Sequence, residues 1–367
     1  MMPALKKIDR RLQTGPKKTT VRPAPGLLEL SALQALRGTH YCMPGPVYIL
    51  QPEDATRSIG ASIGALPAPR EGDCAGSLRQ RHRQEQTMGK KHRRAIPRFA
   101  TPIIETHCHL DYLDAEQLSH TMQQCAEAGI ERIVTIAVAP GNLDRVLELT
   151  TFAPNIWGTQ GVHPHEAAQY SDATDVLIRA RCAQPRIVAV GEIGLDYYYD
   201  HAERALQRAV FARQLQIAAD TAMPVVIHTR DADDDTRAIL REFSGTLARG
   251  GVIHSFTSSP ELAEFCLAEG FMLGFNGITT FNRADEVRAV VAATPAQRIL
   301  LETDAPYLTP APYRGRPNAP HFLPFIAERI AQVKSLDVEE LLQQVYRNSV
   351  GLFFGGDVRL RAAQATR

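Results

Sequence analysis

From Ile103 onward the chain alternates short, apolar, β-rich runs with longer segments whose apolar residues recur at helical spacing, and this alternation limits the fold more than any other feature. Eight runs stand out: Ile103 to His107, Arg132 to Ala137, Ile156 to Val162, Ile187 to Glu192, Pro224 to His228, Gly251 to His254, Phe271 to Phe275 and Ile299 to Thr303. Between them, stretches such as Ala202 to Thr221 and Ser259 to Glu269 space their apolar residues as amphipathic helices do. Strand and helix in turn predict parallel βα units. Eight units favour a closed (β/α)8 TIM barrel over an open doubly wound sheet, and no Gly-x-Gly-x-x-Gly turn supports dinucleotide binding. The segment Asp337 to Phe354 predicts a terminal helix that packs a Leu341, Leu342, Val345 and Leu352 stripe onto the outside of the barrel.

A barrel of about 250 residues leaves part of the 367-residue chain over. Residues 1–100 show no sustained periodicity, are rich in Pro, Gly, Arg and Lys, and carry 18 Lys+Arg against 7 Asp+Glu. Of the 41 basic and 40 acidic residues in all, that leaves 23 and 33 for the rest. The pattern predicts a poorly ordered basic N-terminal extension over 1–100, a barrel domain over 101–358 and a short tail over 359–367. Met88 precedes the basic run Lys90-Lys91-His92-Arg93-Arg94 and the first strand, which points to a translation start there or to a dispensable upstream part. The basic run reads as a solvated tail in preference to a nucleic-acid contact. The acidic barrel lacks a wide basic surface for long-range capture of nucleic acid, so any polyanionic substrate would depend on local contacts and bound cations. No apolar run approaches the roughly 18 residues needed to span a bilayer, and the start lacks a signal-peptide core. Six scattered cysteines without a Cys-x-x-Cys pair predict reduced thiols, and together these features predict a cytoplasmic protein with no membrane partner.

Six potential metal ligands, His107, His109, Glu192, His228, His254 and Asp304, fall at the downstream ends of these runs, where barrel strands converge on one face. His107 and His109 are two apart, so on a strand both imidazoles project from one side while Cys108 points away. Glu192 lies between Gly191 and Gly194 at the end of an apolar run; it could pair with an arginine, but a buried carboxylate there is costly without a partner and can bridge two ions. Nitrogen and oxygen donors without thiolates suit Mg²⁺, Mn²⁺ or Zn²⁺. A pair of such divalent ions would lower the pKa of a bridging water and neutralise charge on a phosphoryl oxygen, making a phosphodiester a natural substrate.

The motifs Thr106-His-Cys-His-Leu-Asp111, Gly161-Val-His-Pro-His165, Gly191-Glu-Ile-Gly-Leu-Asp196, His228-Thr-Arg-Asp231, Gly251-Val-Ile-His-Ser-Phe256 and Glu302-Thr-Asp-Ala-Pro306 occur in an order that resembles the TatD family of metal-dependent deoxyribonucleases. The resemblance covers about Ile103 to Phe354. It implies one metal on His107, His109, Glu192 and Asp304, a second on Glu192, His228 and His254, and Glu192 as the bridge. It further implies that Asp304 orients or deprotonates the attacking water, and that the substrate is DNA, single-stranded or with frayed ends, attacked from an end. Ser255, Thr257-Ser258 and Pro317-Asn318-Ala319-Pro320 depart from the family pattern without removing a ligand. Arg230 and Arg314 are candidate phosphate contacts, while His163 and His165 either touch substrate or cap the third strand. Tyr197-Tyr198-Tyr199 offers a stacking surface for bases or packs under the next helix. Fold and ligands also permit a barrel hydrolase of a small-molecule amide, lactone or phosphoester. A non-catalytic scaffold with the basic N-terminal region as its attachment arm is disfavoured by the presence of all six ligands.

Overall fold

The computed structural model describes residues 94–355. The proposed start at Met88, most of the N-terminal extension and the 359–367 tail lie outside the described residues. Eight parallel strands follow one another around the sheet in chain order: β1 (Ile103–Cys108), β2 (Ile130–Thr135), β3 (Ile156–Gln160), β4 (Ile187–Asp196), β5 (Val225–Arg230), β6 (Gly251–Ile253), β7 (Met272–Phe275) and β8 (Ile299–Leu301). Nine helices accompany them among the described residues: α1 (Ala115–Glu127), α2 (Leu143–Phe152), α3 (Asp172–Arg181), α4 (Arg204–Thr221), α5 (Asp233–Glu242), α6 (Pro260–Ala268), α7 (Asp285–Ala293), α8 (Leu323–Lys334) and α9 (Val338–Phe353).

The last strand returns to the first. Beyond β8, the Asp304 amide donates to the His107 carbonyl oxygen (2.9 Å) and the His109 amide to that of Ala305 (2.8 Å), closing the barrel at its downstream end. The predicted (β/α)8 architecture is therefore present, with strand limits that differ where the site lies. β4 and β5 continue past Glu192 and His228 to Asp196 and Arg230, so both residues sit within strands, whereas Asp304 lies in the turn after β8.

The core has two layers. Ile104, Val134, Val188, Val226, Val252 and Leu300, one from each of six strands, form an inner cluster with Leu352, Phe353 and Phe354. Two residues downstream of Val226, Val252 and Leu300 come His228, His254 and Glu302, so the period of two stacks a polar layer on this apolar one. A larger outer cluster joins the other strand faces to the helices and includes Leu341, Leu342 and Val345. The terminal helix was expected to lay its whole stripe on the outside; Leu352 instead joins the inner cluster as the helix turns under the barrel. Asp337 caps α9 by accepting from the Glu339 amide, and Glu339 in turn accepts from the Ala100 and Thr101 amides (2.6 and 3.0 Å), which fixes the entry to β1.

One buried histidine ties fold stability to pH. His321, in the 3₁₀ turn Pro320–Phe322 before α8, has no hydrogen-bond partner at Nδ1. Burial, with a smaller contribution from His120, pushes its imidazole from the ordinary 6.5 down to about 4. The unfolded chain therefore binds more protons between those values, and stability present at neutral pH is lost as pH falls from 6.5 through 4. The loss is at most about 3 kcal/mol. Denaturant midpoints measured from pH 7 to pH 4 should fall less steeply in His321→Gln than in the wild type; parallel profiles would remove His321 as the cause.

Candidate metal centre

Glu192 is the hub of the site. In the β4–β5 pairing Gly191 sits opposite Val226 and Ile193 opposite Ile227, so Glu192 is an extra residue whose carboxylate is turned to the barrel axis by a local bulge. Four imidazoles reach it: His254 Nε2 at 2.9 Å, His228 Nδ1 at 3.1 Å and His163 Nε2 at 3.6 Å from Oε1, and His107 Nε2 at 3.4 Å from Oε2. Across the site Asp304 Oδ1 lies 3.5 Å from His109 Nε2 and 3.7 Å from His107 Nε2. The six ligands expected from the sequence are thus brought together from β1, β4, β5 and the turns after β1, β6 and β8. Their donor atoms fall into overlapping groups of His107, His109 and Glu192; His107, His254 and Asp304; and His163, Glu192 and His228. His163 stands here with the ligands, nearer to Glu192 than its expected role as substrate contact or strand cap required.

The donor set fits a divalent cation. Both ring nitrogens of buried His107 and Nδ1 of His109 lack a hydrogen bond, an arrangement that is costly unless another group engages them. Burial alone would push Glu192 up, but His254, His163 and His107 hold it well below the usual carboxylate range. Burial likewise opposes ionisation of Asp304, and His109, His254 and His107 outweigh it. The site is therefore rich in anionic oxygen and imidazole nitrogen, without thiolate. Cys108 faces away, its thiol donating to the Val134 carbonyl oxygen (3.8 Å), as the strand alternation predicts.

Around these groups is a polar framework that sequence reasoning missed. Asp196, on the same β4 face as Glu192, receives His228 Nε2 at 3.1 Å and His165 Nε2 at 2.9 Å. Glu302 accepts from the Ser255 amide (2.6 Å) and lies 3.4 Å from His254 Nδ1. Glu105 accepts from the His107 and Thr303 amides (3.0 and 2.9 Å), joining β1 to the turn that carries Asp304, and burial raises its carboxyl to about 8. The even spacing of Glu192, Gly194 and Asp196 along a strand is the signal that could have found Asp196. Gly194 is required there: at φ +139 an added Cβ would run into the His228 carbonyl oxygen.

α4 completes the framework with two buried glutamines on its inner face. Gln207 accepts from the Asp196 amide (2.9 Å) and donates to the Ala202 carbonyl (2.8 Å), and Gln214 accepts from the Val162 amide and donates to its carbonyl (2.8 and 2.9 Å). The strand ends before His163 and at Asp196 are thereby paired where no further strand could do so. The two arginines proposed for phosphate differ in setting. Arg230 projects from β5 two residues beyond His228, its guanidinium 3.9 Å from the Tyr198 ring centroid. Arg314 lies over Phe281 at 3.7 Å and donates to the Thr309 carbonyl.

A parallel (β/α)8 barrel with a buried His/Glu/Asp cluster at the downstream ends of its strands defines a metal-dependent hydrolase. The family model described as TatD related DNase matches residues 104–354, and the chain belongs to this family. It is 38% identical over 265 residues to the uncharacterized metal-dependent hydrolase YcfH of Escherichia coli (strain K12), covering 71% of this chain and 98% of the relative. It is 37% identical over 245 residues to the 3'-5' ssDNA/RNA exonuclease TatD of Erwinia billingiae, covering 65% and 94%. The crystal structure of the TatD homolog YJJV from Escherichia coli superimposes with a TM-score of 0.66 at 30% identity, covering 69% of this chain and 98% of that one.

The glutamine clamp should be felt at the metal centre. Gln207→Leu leaves the Asp196 and Ala202 backbone groups unpaired, a cost on the order of 3 kcal/mol. Asp196 would then lose its hold on His228, so denaturation midpoint and bound metal per chain should fall together; full metal content in the variant would refute the link.

Proposed function

We propose that the chain is a divalent-metal-dependent deoxyribonuclease that shortens single-stranded DNA or frayed ends. The observation that carries this reading is the Glu192 carboxylate held by four imidazoles from β1, β5 and the turns after β3 and β6, facing Asp304. His107, His109, Glu192 and Asp304 would hold one divalent ion, and Glu192 and His228, with His254 and His163 beside them, a second. Such ions, Mg²⁺, Mn²⁺ or Zn²⁺, supply an activated water at neutral pH and charge compensation at the phosphoryl group.

The chain's own groups do the rest. The Asp304 carboxylate is more open than those of Glu192 and Asp196, with 14% of its side chain exposed against 4% and 1%. With Oδ1 turned to His109 and His107, Oδ2 is left to take the proton of the attacking water. Asp196 and Glu302 hold His228 and His254 in place. The Arg230 guanidinium makes no ion pair among the described residues, and its donors are available to a phosphate. A groove of about 990 Å³ beside it is lined by Asp231, Asp233, Asp234 and Asp235. That acidic wall opposes a long polyanion track and supports entry of a strand by its end. No helix among the described residues is long and apolar enough to cross a membrane. The Erwinia billingiae relative carries the name of a single-strand exonuclease, which supports the same substrate class.

End-labelled single-stranded DNA incubated with the full chain should shorten progressively, stop after chelation and resume when Mg²⁺, Mn²⁺ or Zn²⁺ is restored. Asp304→Asn should slow the reaction roughly 10²- to 10⁴-fold. A folded, metal-loaded protein that leaves DNA intact but hydrolyses a small amide, lactone or phosphoester would overturn the nuclease reading.

A further inference from the structure

Two tyrosines at the rim of the metal centre are exposed to a degree that packing does not explain. Tyr112, in the 3₁₀ turn after β1, and Tyr307, in the turn after β8, are 54% and 52% exposed, while most large apolar side chains of the barrel are buried. They come from opposite ends of the barrel's sequence and meet across the β1–β8 seam, their hydroxyls 3.4 Å apart. Their rings stand at 83° with centroids 6.3 Å apart, so one forms a floor and the other a wall. Both adjoin a ligand of the metal centre: the His109 ring centroid is 5.7 Å from that of Tyr112 and 6.2 Å from that of Tyr307.

We infer that Tyr112 and Tyr307 form a stacking subsite for one unpaired nucleobase of the substrate, next to the phosphate being cut. The inference rests on the nuclease reading and adds what selects the substrate. An aromatic floor gives sequence-tolerant affinity to a splayed base, which a paired and stacked base could not use without leaving its duplex. The hydroxyl contact and the perpendicular packing fix the two rings before substrate arrives, so little side-chain freedom is lost on binding. The subsite lies on the His109 and Asp304 side of the centre, whereas Arg230 with Tyr198 and Tyr199 lies on the Glu192 and Asp196 side. A strand end crossing the centre would meet a base-holding surface on one side and a phosphate-holding cation on the other.

The test compares two single-stranded oligonucleotides of equal length, one normal and one abasic at its terminal positions, with full-length wild type, the double variant Tyr112→Ala/Tyr307→Ala, and Tyr112→Phe/Tyr307→Phe. Wild type should prefer the normal strand. The alanine variant should raise KM on it about tenfold or more, the scale of base–aromatic stacking, with kcat little changed and no further loss on the abasic strand. The phenylalanine variant should keep most of the preference. Fluorescence anisotropy with chelator present should show the same pattern in affinity, independent of turnover. Equal losses on both strands, or a wild type indifferent to the missing bases, would overturn the subsite while leaving the nuclease reading intact. Wild type that cuts neither strand under any metal would sink both.

Discussion

A carboxylate placed in the middle of a barrel has to be compensated, and much of the local architecture around Glu192 follows from that requirement. An ionised group so buried is tolerated only with partners at close range, and the structure supplies imidazoles from β1, β5 and the turns after β3 and β6. Those imidazoles need orientation in turn, which Asp196 and Glu302 give to His228 and His254. The carboxylates of this outer ring are themselves tied to backbone amides, Glu302 to Ser255 and Asp196 to Tyr198 and Tyr199. The polar layer is thus a network in which removing one member leaves others buried and unpaired.

Much of this was legible in the sequence, for identifiable reasons. Eight apolar runs with helical segments between them encode parallel βα repeats directly, and His107 and His109 announce a shared face by their spacing alone. Seam closure was not legible, because it depends on backbone bonds between Asp304 and His107 that leave no side-chain pattern. The position of Glu192 within a strand was hidden for a similar reason: a bulge is a matter of register, and an apolar run followed by a charge looks like a strand end. Asp196 and Glu302 stand within the quoted motifs without an assigned role, and Glu105 within an apolar run; only the fold reveals that these three carboxylates are buried around the site. Gln207 and Gln214 disrupt the apolar stripe of α4 and carry no motif, yet they secure two strand ends.

The site divides into a floor and a rim with different demands. The floor is set by short-range geometry between charged groups and leaves little freedom: a methyl group at Gly194 already collides with a neighbouring strand. The rim is built from the end of β5 and the turns after β1, β4 and β8, where Arg230, Tyr112, Tyr199 and Tyr307 face solvent to differing degrees. On the proposed reading, chemistry and substrate choice would be carried by separate layers of one barrel.

The residues that close the barrel stand late in the chain and are therefore made late. The inner core is finished by Leu352, Phe353 and Phe354, and the buried cluster includes Asp304 beside His107. As the chain emerges from the ribosome, its first ligands appear long before their partners, and the floor of the barrel comes last. No N-terminal fragment possesses the complete centre, so a stalled or truncated product would hold histidines without the carboxylate that completes their set. The full cluster of histidines and carboxylates thus comes together only once nearly the whole barrel has been made.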